Sequence, residues 1–201
     1  MVKQARATRT REALIEAAAA AFDQAGYEGA SLQRISEAAG ISLGALTFHF
    51  SSKRDLARTV QRRGTATTLD AVAKLSLGSD PTLPTVIAIT VEIARLMEED
   101  PSVRAAARLA REHDAHSHWP KSWLPALEDL RARPVDTGCT PEETETVLAL
   151  AAHLVAGAEV YIRNQPCEGD AERESAPTQL GQIWGLVARG TGCEGPAHRA
   201  G

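Results

Sequence analysis

Residues 31–56 read SLQRISEAAGISLGALTFHFSSKRDL, the most informative stretch of the chain. Two short helical patterns meet at a three-residue turn centred on Ile41, where Gly40 supplies the sharp bend. Ser31 and Ser42 stand where the two helices begin and are predicted to be their N-caps. Apolar residues at helical spacing are predicted to form the core of this motif: Ile35, Ala39, Leu46, Phe48 and Phe50. The pattern is typical of a helix-turn-helix.

The rest of the chain repeats the 3.6-residue period and shows no sustained strand alternation, so an all-α protein is predicted. A first helix, capped by Thr8 or Thr10, should end at Gly26, and a fourth should start at Ser51 or Ser52. Later helices are predicted near 83–99, 101–113, 120–133, 142–164 and 178–189. The predicted domains are a helix-turn-helix domain at 1–56, a connecting helix and linker at 57–80, a ligand-binding and dimerisation domain at 81–190, and a disordered tail at 191–201.

Composition favours an ordinary soluble protein of the cytoplasm. Of the 201 residues, 43% are hydrophobic and 24% charged, and no apolar run approaches the length needed to span a bilayer, so no membrane partner is expected. Cys139, Cys167 and Cys193 are far apart and odd in number, which indicates neither a disulfide framework nor a thiolate zinc site. The Arg-rich start reads as part of the fold rather than as a transit peptide.

Charge is distributed unevenly along the chain. Residues 1–63 hold ten Lys/Arg against six Asp/Glu, whereas residues 64–201 hold twelve against twenty, and the balances of +4 and −8 sum to the net charge of −4. A basic head on an acidic body suits a polyanion-binding module joined to a part that need not touch the polyanion.

Catalytic and metal chemistry find little support in the sequence. A GxSxG motif and a Gly-rich phosphate loop are both absent, so we expect no enzyme and no cofactor. The cluster of His113, Asp114, His116 and His118 lacks any fixed ligand spacing, and a solvated helix end is the better interpretation than a metal site.

The central motif resembles the DNA-binding signature of the TetR family. The matching residues are Ala38-Ala39-Gly40-Ile41-Ser42, Gly44, Phe48-His49-Phe50 and Lys53, with Phe22, Gly26, Tyr27 and Ser31 at family spacing. Within that family, residues 44–50, the stretch 107–112 and Trp123 look like the γ-butyrolactone autoregulator receptors, which repress secondary-metabolite and antibiotic genes. This resemblance implies a three-helix DNA-binding domain on a helical ligand-binding body, a homodimer, a pseudo-palindromic DNA operator and a small lipophilic effector.

Family roles transferred position by position define a predicted DNA-binding face. It comprises Arg9, Arg11, Ser31, Ser42, Leu43, Gly44, Thr47, His49 and Lys53, with the two arginines and Lys3 in a flexible basic arm. The family usually has Tyr where Thr47 stands, and the butyrolactone receptors often have Lys where Leu43 stands. Either the operator differs from the usual one or DNA binding is weaker. A ligand-binding or interaction protein with a degenerate DNA-binding head is therefore the alternative function.

The resemblance also implies a pocket in the body. Trp123 is its first candidate residue, as an apolar wall for a lactone or furan with an alkyl tail, with a core tryptophan as the alternative. Trp119, Val155 and Glu159 are further candidates, and the last two are equally expected to be packing or dimer-interface residues. Arg104, Arg108 and Arg111 are predicted to form a solvated or salt-bridged face with Glu112 and Asp114, with anion binding as the alternative. The helices at 142–164 and around Trp184 carry more apolar surface than a monomer would expose, which favours pairing with their two-fold mates.

Overall fold

The computed structural model describes residues 2–77, 82–113, 119–131, 140–164 and 174–191. Across these ranges every regular element is helical and no strand occurs, which confirms the all-α prediction. The helices are α1 (Val2–Gly29), α2 (Leu32–Ala38), α3 (Leu43–His49), α4 (Lys53–Ser76), α5 (Thr82–Glu99), α6 (Pro101–His113), α7 (Leu124–Leu130), α8 (Pro141–Arg163) and α9 (Ala176–Thr191). The chain forms two compact units: a first unit of Met1–Thr68 with Glu99–Ser122, and a second unit of Leu69–Glu98 with Trp123–Gly201.

Helices α2 and α3 begin and end through local hydrogen bonds that the sequence predicts. The Ser31 hydroxyl oxygen accepts the Arg34 N–H at 3.2 Å, and Ser42 likewise accepts the Ala45 N–H at 3.2 Å. Gly40 adopts a positive φ of 65°, which a side chain would disfavour. The N–H groups of Gly40 and Ile41 return to carbonyls of α2 at 3.0 and 2.9 Å, forming a Schellman-type end. Both predicted caps and the predicted turn are confirmed.

The first unit encloses one hydrophobic core. Helices α1, α2, α3, α4 and α6 all contribute buried side chains, among them Leu14, Ala18, Phe22, Ile35, Leu46, Phe50, Leu56, Val60, Ala105 and Leu109. Burial of each large apolar side chain stabilises the fold by about 1.5–3 kcal/mol. The core therefore holds α3 by its inner face and leaves its outer face available.

Helix α1 starts earlier than predicted. It begins at Val2, and Thr8 is not a cap, because its hydroxyl donates to the Gln4 carbonyl at 3.0 Å inside the helix. The stretch 3–7 consists of strong helix formers, which extend the helix toward the N-terminus. The predicted break at Gly26 is confirmed by its φ of 69°, although helical hydrogen bonding resumes as far as Gly29.

Helix α6 packs against α1 through ionic and polar contacts. Arg104 Nε donates to the Asp23 carboxylate at 2.6 Å, and an Arg108 guanidinium N–H donates to the Asp23 carbonyl at 2.6 Å. Glu112 accepts Arg108 Nε at 2.7 Å and the Tyr27 backbone N–H at 2.8 Å. The predicted salt-bridged face of 101–113 is thus present, with partners on α1 as well as on α6. These contacts group α6 with the helix-turn-helix, whereas the predicted functional division placed it in the body.

The second unit is assembled around α5. Its buried residues Val86, Ile89, Ile93 and Met97 lie on one side, and Trp184 of α9 donates its indole N–H to the Thr90 hydroxyl at 2.8 Å. The Glu98 carboxylate accepts the Ala176 N–H at 2.6 Å, which caps the start of α9.

The sequence prediction is wrong in extent for α7 and correct for the start of α8. The predicted helix at 120–133 is wrong in extent: Pro120–Ser122 form a 3₁₀ turn, and α7 covers only Leu124–Leu130. In α8, Thr140 and Glu143 form a reciprocal capping box, with Glu143 N–H to Thr140 Oγ1 at 3.2 Å and Thr140 N–H to Glu143 Oε2 at 2.6 Å. The strong helix start predicted at Thr140 is confirmed.

Helix α8 is long and apolar enough to cross a bilayer by length and composition, with a mean hydropathy of 1.4. The expectation that no apolar segment reaches such a length is therefore wrong for this helix. A core or interface helix of a globular protein can have the same length and composition. About a third of the apolar stretch is buried inside the protein, which leaves apolar surface for another contact.

Some predictions fall outside the described residues. They concern Cys139, Cys167, Cys193, Asp114, His116 and His118, the side chain of His113, and the tail 192–201.

Candidate nucleic-acid interface

Helix α3 presents a distinct outer face. Leu46 on α3 is fully buried, and Phe50, its C-cap, is 1% exposed, so these two side chains anchor the helix to the core. Gly44 and Thr47 are exposed, and Leu43 is 40% exposed. The predicted contact residues Leu43, Gly44 and Thr47 thus lie together on the solvent side of a helix short enough to enter a major groove.

Phe48 is the largest departure from the sequence prediction at this site. It was expected in the core, but its side chain is 84% exposed. Successive residues of an α-helix are 100° apart, so Phe48, two positions from both Leu46 and Phe50, points away from the face they bury. Helical geometry alone predicts that Phe48 is exposed. The core prediction is wrong because it relied on the fact that phenylalanine is usually buried.

Thr47 and His49 supply the polar atoms of the same helix. The Thr47 hydroxyl donates to the Gly44 carbonyl at 3.0 Å, which leaves its oxygen as an acceptor and its methyl group as an apolar contact. The His49 ring is half-buried and meets the Phe48 ring edge to face, with centroids 5.5 Å apart. His49 stands in the last turn of α3.

The two cap serines lie at the surface of the motif. Ser42 is exposed and Ser31 half-buried, and each hydroxyl oxygen already accepts an amide N–H. Each hydroxyl hydrogen remains able to donate to a phosphate oxygen. The predicted phosphate contacts of these serines are therefore compatible with their capping role.

Lys53 has a structural role in addition to its charge. Its ammonium group donates to the Ala30 carbonyl at 2.9 Å and to the Glu28 carbonyl at 3.4 Å, and it lies 4.5 Å from the centroid of the Tyr27 ring. It thereby joins the first turn of α4 to the end of α1. Of its three donors, one remains for a phosphate.

Arg9 and Arg11 do not form the predicted flexible arm, because both lie on α1. Arg9 is exposed, and the Arg11 guanidinium carbon lies 5.2 Å from the centroid of the Phe50 ring. This cation–π contact brings Arg11 to the end of α3. The basic contribution of the N-terminus is therefore a helical surface beside the motif.

The candidate effector residues divide between the two units. Trp119 belongs to the first unit, is 6% exposed and donates its indole N–H to Thr68 at 3.2 Å, which indicates a packing role. Trp123 is 5% exposed at the start of α7 in the second unit. Val155 and Glu159 share one buried face of α8, and the Glu159 carboxylate lies 3.8 Å from Arg163.

A groove of about 650 Å³ opens along α1 and α2 in the first unit. Its lining consists mostly of small apolar residues, among them Ala13, Ala17, Ala20 and Ala21. The groove contains none of the candidate effector residues. It is therefore distinct from the predicted effector site.

The geometry of the motif agrees with comparisons to known proteins. The family model described as "Bacterial regulatory proteins, tetR family" matches residues 14–60, from the buried part of α1 to the first turns of α4. Over these residues the chain is similar to the DNA-binding domain of the TetR family. Members of this family similar to the chain are transcriptional regulators, not enzymes.

Two kinds of TetR relative are most informative. The A-factor receptor protein of Streptomyces griseus is 43% identical over 67 residues, which are 33% of this chain and 24% of that receptor. The chain thus spans about a quarter of the length of this relative. A γ-butyrolactone receptor described as ArpA-like is similar in structure, with a TM-score of 0.65 and 27% identity over 92% of this chain and 88% of that one. CprB from Streptomyces coelicolor, solved in complex with its operator, gives a TM-score of 0.67 and 29% identity over 96% and 92% of the two chains.

Proposed function

We propose that this protein is a ligand-responsive repressor of the TetR family, which binds a pseudo-palindromic operator as a homodimer and dissociates when a small lipophilic effector binds. The observation that carries the proposal is the exposed outer face of α3, held by a buried inner face in a helix-turn-helix. A protein bound across a promoter excludes the transcription machinery. The protein would act in the cytoplasm, where the chromosome lies.

DNA binding rests on contacts of two kinds. Contacts to phosphates would position the motif on the DNA. They would come from the hydroxyls of Ser31 and Ser42, the ring of His49 and the cations Arg9, Arg11 and Lys53. Leu43, Gly44 and Thr47 would face base edges in the major groove. The excess of four positive charges in residues 1–63 favours approach to DNA.

Dimerisation rests on apolar surface exposed on α8 and α9. Val160 is 42% and Leu186 is 65% exposed. Ala149, Ala156 and Gly157 of α8 are exposed at the same helical spacing as Val160, and His153 is exposed among them, so small residues surround one imidazole on this face. Pairing these helices with those of a second copy would bury that surface.

The effector would bind in the second unit. Trp123 and Val155 are buried apolar side chains there, and Glu159 adds a buried carboxylate. Similarity to γ-butyrolactone receptors supports a γ-butyrolactone or a related pathway product as the effector, and specialised-metabolite genes as targets. An effector releases DNA only to the extent that it prefers the state that binds DNA poorly.

The test is a titration of the protein against duplexes covering its own upstream region at fixed salt, by fluorescence anisotropy. We expect a specific complex that synthetic γ-butyrolactone or an extract of the producing culture dissociates. If no neighbouring promoter fragment is bound, yet the double variant Leu43→Lys/Thr47→Tyr gains binding, the chain is an interaction protein with a degenerate head. If no extract component dissociates the complex, the effector part of the proposal is contradicted, whereas the DNA-binding part stands.

A further inference from the structure

The outer face of α3 is unusually apolar for a helix that reads DNA. Its sequence, Leu43–His49, contains no Arg, Lys, Asn, Gln, Asp or Glu. Those residue types make the bidentate contacts that identify guanine and adenine, or accept from cytosine. Helix α3 itself must therefore distinguish bases by something other than bidentate hydrogen bonds.

Two side chains dominate the exposed surface of this helix. The Phe48 side chain is 84% exposed and that of Leu43 is 40% exposed. An exposed phenylalanine ring offers a large apolar area to water, which costs free energy in the unbound protein. Burial against a partner would recover it.

Thr47 adds to the same apolar character. Its hydroxyl hydrogen is engaged with the Gly44 carbonyl, so Thr47 can offer a base its methyl group and, as an acceptor only, its oxygen. Gly44 itself has no side chain, and a Cβ placed there would meet no heavy atom within 4 Å. The face thus consists of one ring, one branched alkyl group, one methyl, one acceptor oxygen and an open backbone.

In the major groove, thymine is distinguished by an apolar group, the methyl on C5. We infer that α3 selects its operator through thymine 5-methyl groups, with Phe48 and Leu43 as the residues that determine specificity. This inference rests on the proposed DNA-binding function and names what that surface reads. Duplex DNA is the occupant favoured by charge, because the apolar face lies in the basic segment 1–63 and is followed at once by Lys53 and Arg54.

The experiment uses a duplex selected by the full-length protein from a randomised library. Each thymine of its half-sites is replaced in turn by deoxyuridine, which removes the methyl and keeps every hydrogen-bonding group. At a contacted thymine we expect the dissociation constant to rise about fourfold, the effect of losing one buried methyl. Replacing the thymine by cytosine should weaken binding further, and 5-methylcytosine should recover part of the loss.

Protein variants assign each methyl to a side chain. Phe48→Ala should abolish the effect of deoxyuridine at one position of the half-site, and Leu43→Ala at another. Both residues are exposed, so neither change should lower the unfolding temperature. Leu77→Ala is the matched control, since Leu77 is 85% exposed and lies in the second unit; it should retain the full deoxyuridine effect.

The outcomes separate this inference from the function on which it rests. If no duplex is selected, the proposed function fails. If a duplex is selected but deoxyuridine at every position leaves the affinity unchanged, DNA binding stands and methyl readout is overturned. If deoxyuridine weakens binding equally in wild type, Phe48→Ala and Leu43→Ala, the assignment to these two residues is overturned.

Discussion

A substitution at Gly44 of α3 should affect DNA binding without lowering the stability of the fold. A Cβ at this position has open space, so Gly44→Ala should not destabilise the free protein, and removing the flexibility of glycine should stabilise it by up to about 1 kcal/mol. The added methyl would stand between α3 and the groove floor. We therefore expect operator affinity to fall while the unfolding temperature is kept or raised, measured by anisotropy and thermal unfolding.

A second glycine provides the control for that change. Gly190, in the last turn of α9, is exposed and also has open space. Gly190→Ala should leave operator affinity unaltered. Equal affinities for wild type and Gly44→Ala would show that the backbone of α3 does not approach DNA closely.

Glu112 on α6 should make the stability of the first unit depend on pH in the acid range. Burial raises the pKa of this carboxyl, but hydrogen bonds from Arg108 and the Tyr27 N–H, with the charges of Arg108 and Arg111, outweigh burial and hold the pKa below its ordinary value of 4.5. A carboxyl whose pKa is lower in the folded state stabilises the fold above its unfolded pKa. That stability is lost as the pH falls through the pKa of the carboxyl in the folded state. The loss is therefore expected below about pH 4.5.

Glu112→Gln tests this pH dependence. Urea unfolding at pH 7 should show a loss of stability in the variant, and the difference from wild type should shrink as the pH falls below about 4.5. Glu128→Gln, an exposed change on α7, should reproduce the wild-type curve. A difference between Glu112→Gln and wild type that is constant with pH would contradict the role of the ionised carboxylate.

At the scale of the elements, the sequence predicts what local chemistry decides. The caps at Ser31, Ser42 and Thr140 are satisfied within three residues, so their residue types suffice to predict them. The early start of α1 was missed because Thr8 can cap a helix or bond back within one, and the sequence does not show which. Each of these decisions lies within one turn of helix.

Contacts between distant segments could not be predicted in the same way. Arg104 and Asp23 are 81 positions apart, and nothing in the spacing of either pairs them. The same holds for Glu112 and Tyr27. Likewise the sequence places Trp119 and Trp123 four residues apart, whereas the fold assigns them to different units. Only packing reveals which charged face is solvated and which joins two helices.

Helix α4 packs closely on α6 at Gly64. A Cβ there would overlap the Ser102 carbonyl and lie 2.8 Å from Ala106 Cβ. Gly64→Ala should therefore destabilise the protein by about 1–3 kcal/mol, as overpacking does, despite its better helix propensity. Chemical denaturation measures the change, and Gly181→Ala, at an exposed position of α9 with open space, should have the opposite sign. A stable Gly64→Ala protein would mean that α4 and α6 separate without cost.

At the scale of the whole molecule, a seven-residue reading helix is too short to specify an operator alone. Its length is about 10 Å, which reaches only a few base pairs. Two copies entering successive major grooves, about 34–36 Å apart, would double the number of bases read. Affinity for a full operator therefore requires that dimerisation survive.

Val160→Glu and Leu186→Glu, singly and together, place charges on the exposed apolar surface of α8 and α9. Both side chains are exposed in one chain, at 42% and 65%, so the variants should fold, while burial of an unpaired carboxylate should oppose pairing. Sedimentation velocity should show monomers for the double variant, and its affinity for a full operator should fall toward that for a half-site. Leu77→Glu, on a residue that is 85% exposed, should remain dimeric. A double variant that stays dimeric and keeps full-operator affinity would place the two-fold interface on other surfaces, because two buried carboxylates cannot face their own symmetry mates without a large penalty.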